Sequence, residues 1–195
     1  AAVKQAITPK TVAILLEPVQ GEGGIRIAGA DYLKAIRALA DQHRLLVVYD
    51  EIQTGIGRTG KMWAADLFGV EPDILLSAKG LGSGMPIGAI VAKERVMTWP
   101  QGSHGSTFGG NPLGCAAALA TLELVEKGLA KNAEKVGARL LRGLRALQQK
   151  HPSIGDVRGV GLMIGIEFVK DRISKEPDLE LTHELELRAF KKGLL

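Results

Sequence analysis

The stretch 45–60 reads LLVVYDEIQTGIGRTG, and the fold follows from how it is read. Leu45 to Tyr49 is an unbroken apolar run, which predicts a strand buried on both faces. It stops at two carboxylates, Asp50 and Glu51, and a glycine-rich loop follows. Outward from there the same design recurs. Thr11 to Leu16 is a second apolar run, ending at Glu17-Pro18, and Asp73 to Ser77 is a third, ending at Ala78-Lys79. Pro86 to Val91 predicts a fourth strand behind a glycine-rich turn. Between the first two strands, Tyr32, Leu33, Ile36, Leu39 and Ala40 recur at helical spacing, with Lys34, Arg37 and Asp41 on the other face. Strand, helix and strand in this order predict an α/β domain with a mostly parallel sheet.

From Leu113 the pattern turns helical to about Glu126. It breaks at Lys127-Gly128 and resumes as a long amphipathic helix through Lys150, with Val136, Leu140, Leu144 and Leu147 on one face. His151-Pro152 stops that helix. Val157 to Val169 alternates glycine and apolar residues, predicting strands of another unit. A charged helix is expected from Pro177, suited to a first turn, to Lys192. Gly193-Leu194-Leu195 reads as the opening of a further strand, and a chain that starts Ala1-Ala2 is expected to be a piece of something longer.

Composition excludes several classes. With 46% hydrophobic residues among 195, the chain buries enough apolar surface to offset chain entropy, so disorder is excluded. One cysteine allows neither an internal disulfide framework nor a four-cysteine zinc site. His43, His104, His151 and His183 are scattered, and no metal site is expected. No apolar run approaches the about 20 residues of a membrane span, and no signal pattern opens the chain, so a cytoplasmic protein without membrane contact is expected. The net charge of +4 raises nucleic acid as a partner. It collapses onto 127–150, where seven cations face Glu134 alone. Lys131, Lys135, Arg139, Arg142 and Arg145 form one helical stripe without interleaved aromatics, so a solvated face is expected and no nucleic-acid site.

Ligands of open α/β sheets sit outside the carboxyl ends of the strands. Glu17, Asp50 with Glu51, and Lys79 all stand at such ends, and 12 of the 25 glycines fall within 55–110. A single charge there marks only the exit of a strand into solvent. Three together, each before a glycine-rich loop, point to a site. Gly55 to Gly60 spells G-x-G-x-x-G, yet Met62 stands where a phosphate loop needs Ser or Thr after the lysine. The dinucleotide fingerprint fails as well, because Asp50 to Thr54 separate the strand from the loop. There is no G-x-S-x-G elbow, and Cys115 lies in an alanine-rich helix as a small core residue. A lysine near a carboxylate suits Schiff-base chemistry, in which pyridoxal phosphate also needs a carboxylate at its ring nitrogen. Ser103, Ser106 and Thr107, in a glycine-rich loop before a helix, are candidate phosphate donors.

The blocks VAILLEPVQGEGG (12–24), VVYDEIQTGIGRTG (47–60), DILLSAKGLGSGMPIGAIVA (73–92) and HGSTFGGNPLG (104–114) resemble the class III pyridoxal-phosphate aminotransferases, which include 4-aminobutyrate, ornithine and acetylornithine enzymes. The resemblance extends through VRGVGLMIGIEF, and Met62-Trp63-Ala64, Met97-Thr98-Trp99-Pro100 and Gly155 to Gly159 lean toward the 4-aminobutyrate branch. It implies a fold-type I large domain, incomplete, over 1–127, and over 128–195 a long helix with the start of an α+β small domain. It implies that Lys79 carries the cofactor as a Schiff base and later moves the proton between substrate Cα and cofactor C4′. Asp50 would pair with the pyridinium nitrogen, Gln53 with the ring 3-oxygen, and Ile52 would pack on one ring face. Thr107 would bind the phosphate of the cofactor held by the neighbouring subunit, which makes the enzyme a homodimer. Glu17 would be the switch residue that releases an arginine for the dicarboxylate substrate.

Enzymes of this kind are about twice as long. The expectation is therefore the central and early C-terminal part of an ω-aminotransferase, without the main phosphate loop, the second ring-stacking aromatic and the substrate-carboxylate arginine. The expected reaction moves an amino group from 4-aminobutyrate or a similar donor to 2-oxoglutarate in a ping-pong cycle. The alternatives are ornithine or acetylornithine transamination, and racemisation or aminomutation on the same residues. A non-enzyme rival is a binding module built on the basic helix.

Overall fold

The structure, a computed structural model, describes residues 1–194. A short helix, α1 (Ala2–Ala6), leads into β1 (Ala13–Leu16), and a small hairpin of β2 (Val19–Gln20) and β3 (Arg26–Ile27) follows. Helix α2 (Ala30–His43) then crosses to β4 (Leu46–Asp50). Helix α3 (Ala64–Phe68), β5 (Ile74–Ser77) and β6 (Ala89–Ala92) complete a four-stranded sheet in the order β1-β4-β5-β6. β1, β4 and β5 run parallel, and β6 turns back antiparallel to β5. The sheet is thus mostly parallel, as the strand–helix–strand pattern predicts.

One face of the sheet is closed. Leu33, Ile36 and Ala40 of α2 pack on Val47 and Tyr49, together with Ala65 and Val70. A left-handed Arg44 ends α2 (φ 57°) with its N–H on the Ala40 carbonyl, turning the chain straight into β4. The other face is open where the apolar runs predict burial. Leu15 is 63% exposed although its neighbours Ile14 and Leu16 pack against the core, and at the sheet edge Ile90 is 58% and Val91 55% exposed. A continuous apolar run signals that both faces can be covered, not that they are. Arg37, read as part of the outer face of α2, instead turns its guanidinium onto the buried Asp73, 2.6 Å away.

Helix α4 (Pro112–Leu124) is capped by Asn111, whose side chain accepts from the Gly114 N–H at 2.7 Å. A wide turn at Val125–Leu129, with Gly128 at φ 148°, breaks the helix at the expected place. Helix α5 (Ala130–Lys150) then packs on the hairpin of β7 (Ile154–Val160) and β8 (Met163–Phe168). Its packing face is only partly the expected one, since of the four apolar residues Leu144 alone is half-buried. Ala133 and Gly137 are buried, while Val136, Leu140 and Leu147 stay 43–47% exposed. The reason is backbone proximity, since a Cβ on Gly137 would stand 1.8 Å from the Gly161 carbonyl oxygen. The small residues make the contact and the large ones flank it.

Helix α6 (Leu179–Lys191) starts at an Asp178 cap that accepts from the Leu181 N–H, so Pro177 lies before the helix, bridging Val169, rather than in its first turn. At the far end Gly193 (φ 84°) and Leu194 donate back to Phe190 and Ala189 carbonyls. They close the helix instead of opening a strand, and Leu195 lies outside the described residues. Among the described residues no helix is long and apolar enough to cross a membrane.

Candidate functional site

The parallel strands bring the expected residues to one end of the sheet. Leu16 pairs with Tyr49 and Asp50 with Leu76, so Glu17 lies beside Asp50, and Lys79 stands three residues past Asp50's partner. Lys79 opens a tight turn, Lys79–Gly82, after Ala78. It holds a positive φ of 40°, a region that costs energy for any residue with a Cβ and recurs at functional sites.

Two hollows flank this end. A cleft of about 660 Å³ is lined by Glu17, Gln20, Arg26, Tyr32 and Asp50. A second, of about 560 Å³, is lined by Lys79, Ile52, Gln53, Ile56, Thr121 and Asn132. Asp50 and Lys79 therefore share a sheet end while facing different hollows. The Asp50 Oδ1 accepts from the Ile52 N–H at 3.0 Å, which fixes the turn after β4. Gln53 donates from Nε2 to Glu22 Oε1 at 3.1 Å and packs on Gly21 so tightly that a Cβ there would lie 2.4 Å from its Oε1. Glu17 Oε2 accepts from the Gly21 N–H at 2.8 Å, so one hairpin steadies both.

Thr107 is not brought to these residues. It lies in the exposed segment 97–110, lines neither hollow, and shares it with Ser103, whose hydroxyl donates to the Pro100 carbonyl at 2.7 Å. The loop Gly55 to Gly60 is a structural turn. Gly57 and Gly60 hold positive φ, the Arg58 carbonyl accepts from the Leu162 N–H at 2.9 Å, and a Cβ on Gly161 would meet the Thr59 backbone at 2.4 Å. Among the described residues no cluster of His, Cys, Asp and Glu could hold a metal ion.

Two buried carboxylates carry more structure than their sequence positions announce. Glu51, grouped with Asp50 at the strand end, points to the opposite face and is 1% exposed. Its carboxylate accepts from Thr54 Oγ1 (2.9 Å) and from the Ala64 and Ala65 N–H groups (2.7 and 2.8 Å). Burial raises its pKa above the ordinary carboxylate value, and these three donors only partly offset that. Burial, with the Glu51 charge nearby, also pushes the Tyr49 phenol up to about 12. The signal for Glu51 was in the alternation: Val47, Tyr49 and Glu51 share the core face of β4. Asp73 is the reverse case. Burial pushes its pKa up, but the Val47 N–H and the Arg37 guanidinium outweigh that and hold it below the ordinary range.

Comparison with known proteins places the whole chain in one family. The sequence model of the family "Aminotransferase class-III" matches residues 1–195. An acetylornithine aminotransferase of Caldanaerobacter subterraneus subsp. tengcongensis is 48% identical over the whole chain, which spans 47% of that protein. A leucine/methionine racemase of Thermococcus litoralis is 43% identical over 94% of this chain and 42% of its own. A Toxoplasma gondii ornithine aminotransferase structure, described with pyridoxal phosphate at partial occupancy in its active site, superposes with a TM-score of 0.80. It is 43% identical, over 86% of this chain and 40% of that one. The chain thus spans less than half the length of each.

Proposed function

Because this chain belongs to the class III aminotransferase family, we propose that the protein carrying it moves an amino group from ornithine or acetylornithine to a 2-oxo acid such as 2-oxoglutarate. The observation that carries the reading is the register of β4 on β5, which sets the Asp50 carboxylate and the Lys79 amine at neighbouring strand ends. The 48% identity to an acetylornithine aminotransferase favours that donor class over 4-aminobutyrate, the donor expected from the sequence.

Pyridoxal phosphate is the cofactor of this family, and the groups at this sheet end fit its ring. They are an amine, a carboxylate, an amide and an aliphatic side chain: Lys79, Asp50, Gln53 and Ile52. Bound there, it supplies an aldehyde that condenses with amines and a ring that accepts electrons. Lys79 would hold the cofactor through its amine, and that amine would serve as the base that moves the proton at the substrate Cα. Asp50 would keep a proton on the ring nitrogen, Gln53 would hydrogen-bond the ring 3-oxygen, and Ile52 would pack on one ring face. Glu17, beside Asp50 in the same cleft, is the switch residue for the substrate carboxylate. Thr107, exposed and clear of both hollows, is free to reach the cofactor of a second subunit, giving a homodimer. The kink at Gly128 supports a boundary between a large domain, 1–127, and a small one from 128 on.

The test uses the whole protein. Borohydride reduction after adding pyridoxal phosphate should fix the pyridoxyl group on Lys79, and Lys79→Ala should abolish the label. Label on another lysine, or label persisting in the variant, would sink the assignment. With donor and 2-oxoglutarate, glutamate should accumulate fastest from acetylornithine or ornithine. The racemase relative supports one second reading, in which a chiral amino acid loses its handedness and no glutamate forms.

A further inference from the structure

Glu51 directly follows Asp50 at the end of β4, yet it lines neither hollow. Its backbone N–H donates to the Leu76 carbonyl at 3.0 Å, tying it to the strand that leads into Lys79, and its own carbonyl accepts from Gly55 at 3.0 Å. Its carboxylate gathers Thr54 and the first two N–H groups of α3, as a remote cap on a helix of five residues. Trp63, just before α3, packs on the same loop, since a Cβ on Gly55 would stand 2.7 Å from its ring. Asp50, Ile52 and Gln53 therefore lie on a segment tied to α3 by two bonds of the Glu51 side chain and to β5 by one of its backbone, and braced internally by Thr54 and Gly55. Among the described residues Glu51 enters no ion pair, so its carboxyl group is held by neutral donors alone.

We infer that Glu51 is a positioning residue: by fastening the turn Asp50–Gly55 to α3 and β5, it sets where Asp50 and Gln53 meet the cofactor. The inference rests on the reading of the site as a pyridoxal-phosphate site. The chemistry of the donors makes the position sensitive. A carboxylate accepts from all three, whereas the amide of a glutamine turns an N–H toward one of them. A buried group that supports a ligand-holding residue is worth about 10-fold or more in ligand affinity when disturbed.

The experiment compares Glu51→Gln, Thr54→Val, Thr54→Ser and a core control, Ile36→Val, in the whole protein. Two quantities are read: the melting temperature without cofactor, and the dissociation constant of pyridoxal phosphate by absorbance titration. Glu51→Gln should weaken cofactor binding about tenfold or more. Thr54→Val, which removes one donor at nearly constant volume, should weaken it in the same direction, and Thr54→Ser should restore it. Ile36→Val should lower the melting temperature and leave the dissociation constant unchanged. If Glu51→Gln and Thr54→Val melt lower but bind as wild type does, Glu51 is structural only and the inference fails. If Glu51→Gln does not fold, the Thr54 pair decides alone. A wild-type protein that takes up no pyridoxal phosphate overturns the reading of the site, and this inference with it.

Discussion

The two ends of the sheet treat their charges in opposite ways. Where β5 begins, Asp73 is 2% exposed and fully enclosed. It faces Arg37 at 2.6 Å, the Val47 N–H at 2.9 Å, Lys93 at 3.7 Å, and Arg95. Where β1, β4 and β5 finish, Glu17, Asp50 and Lys79 enter no ion pair among the described residues, and Lys79 holds a strained backbone. One end is completed by its own chain. The other keeps its groups available, as expected of the end at which open α/β sheets bind ligands.

The sharpest way to break this comparison is to remove one residue from each end of the whole protein. Lys79→Ala should cut amino transfer by about 10⁴-fold, the upper range for a positioned proton-transfer group, and change stability by about 0.5 kcal/mol or less. Asp73→Ala should cost about 3 kcal/mol, because it removes the buried carboxylate that the partly buried Arg37 guanidinium and the Val47 N–H both donate to. It should still accept the pyridoxyl label on Lys79. Urea unfolding and steady-state rates measure the two. If Lys79→Ala loses its stability, or Asp73→Ala its labelling, the division of labour between the ends is wrong.

Acid sharpens it next, because the two buried carboxylates shift in opposite directions. Asp73 has a folded pKa below its ordinary value. Its stabilisation is therefore complete above about pH 4 and lost as pH falls through the folded pKa. Glu51 has a folded pKa above its ordinary value. Its protonated form favours the fold, so that contribution is complete below about pH 4 and lost as pH rises through the folded pKa. Melting temperature followed from about pH 3 to about pH 7 should show both. Asp73→Asn should flatten the loss on acidification, and Glu51→Gln should remove the decline on going up. Both variants sloping alike would contradict the opposite shifts.

How much of this was legible depends on what each signal encodes. Periodicity placed β1, β4, β5 and α2 closely, because apolar spacing reports the element directly. The strand-end positions of Glu17, Asp50 and Lys79 were legible for the same reason. The packing face of α5 was not: leucine spacing reports hydrophobicity, whereas the approach of Gly137 to the Gly161 carbonyl, where a Cβ would stand 1.8 Å away, is a property of two backbones meeting. Nor was the open face at Leu15, since an apolar run does not say what covers it. Arg37 and Asp73 are 36 residues apart, and no local pattern joins them. Glu51 is the instructive miss, as its parity with Tyr49 put it on the core face in plain sight.

The smallest effect tests the strain. At φ 40° Lys79 sits in the left-handed region, which costs a residue with a Cβ about 1–2 kcal/mol and glycine nothing. Glycine also frees the unfolded chain, which offsets about 0.5–1 kcal/mol of that gain. Lys79→Gly should therefore be inactive yet more stable than Lys79→Ala by about 0.5–1 kcal/mol. Alanine is the right reference, because it removes the amine and keeps the Cβ. Urea unfolding of the two cofactor-free variants measures the difference. A Lys79→Gly no more stable than Lys79→Ala would mean the backbone there is at ease, leaving the contrast between the two ends to rest on charge alone. A more stable one would mean that the fold gives up stability at the residue proposed to hold the cofactor, which a purely structural turn has no reason to do.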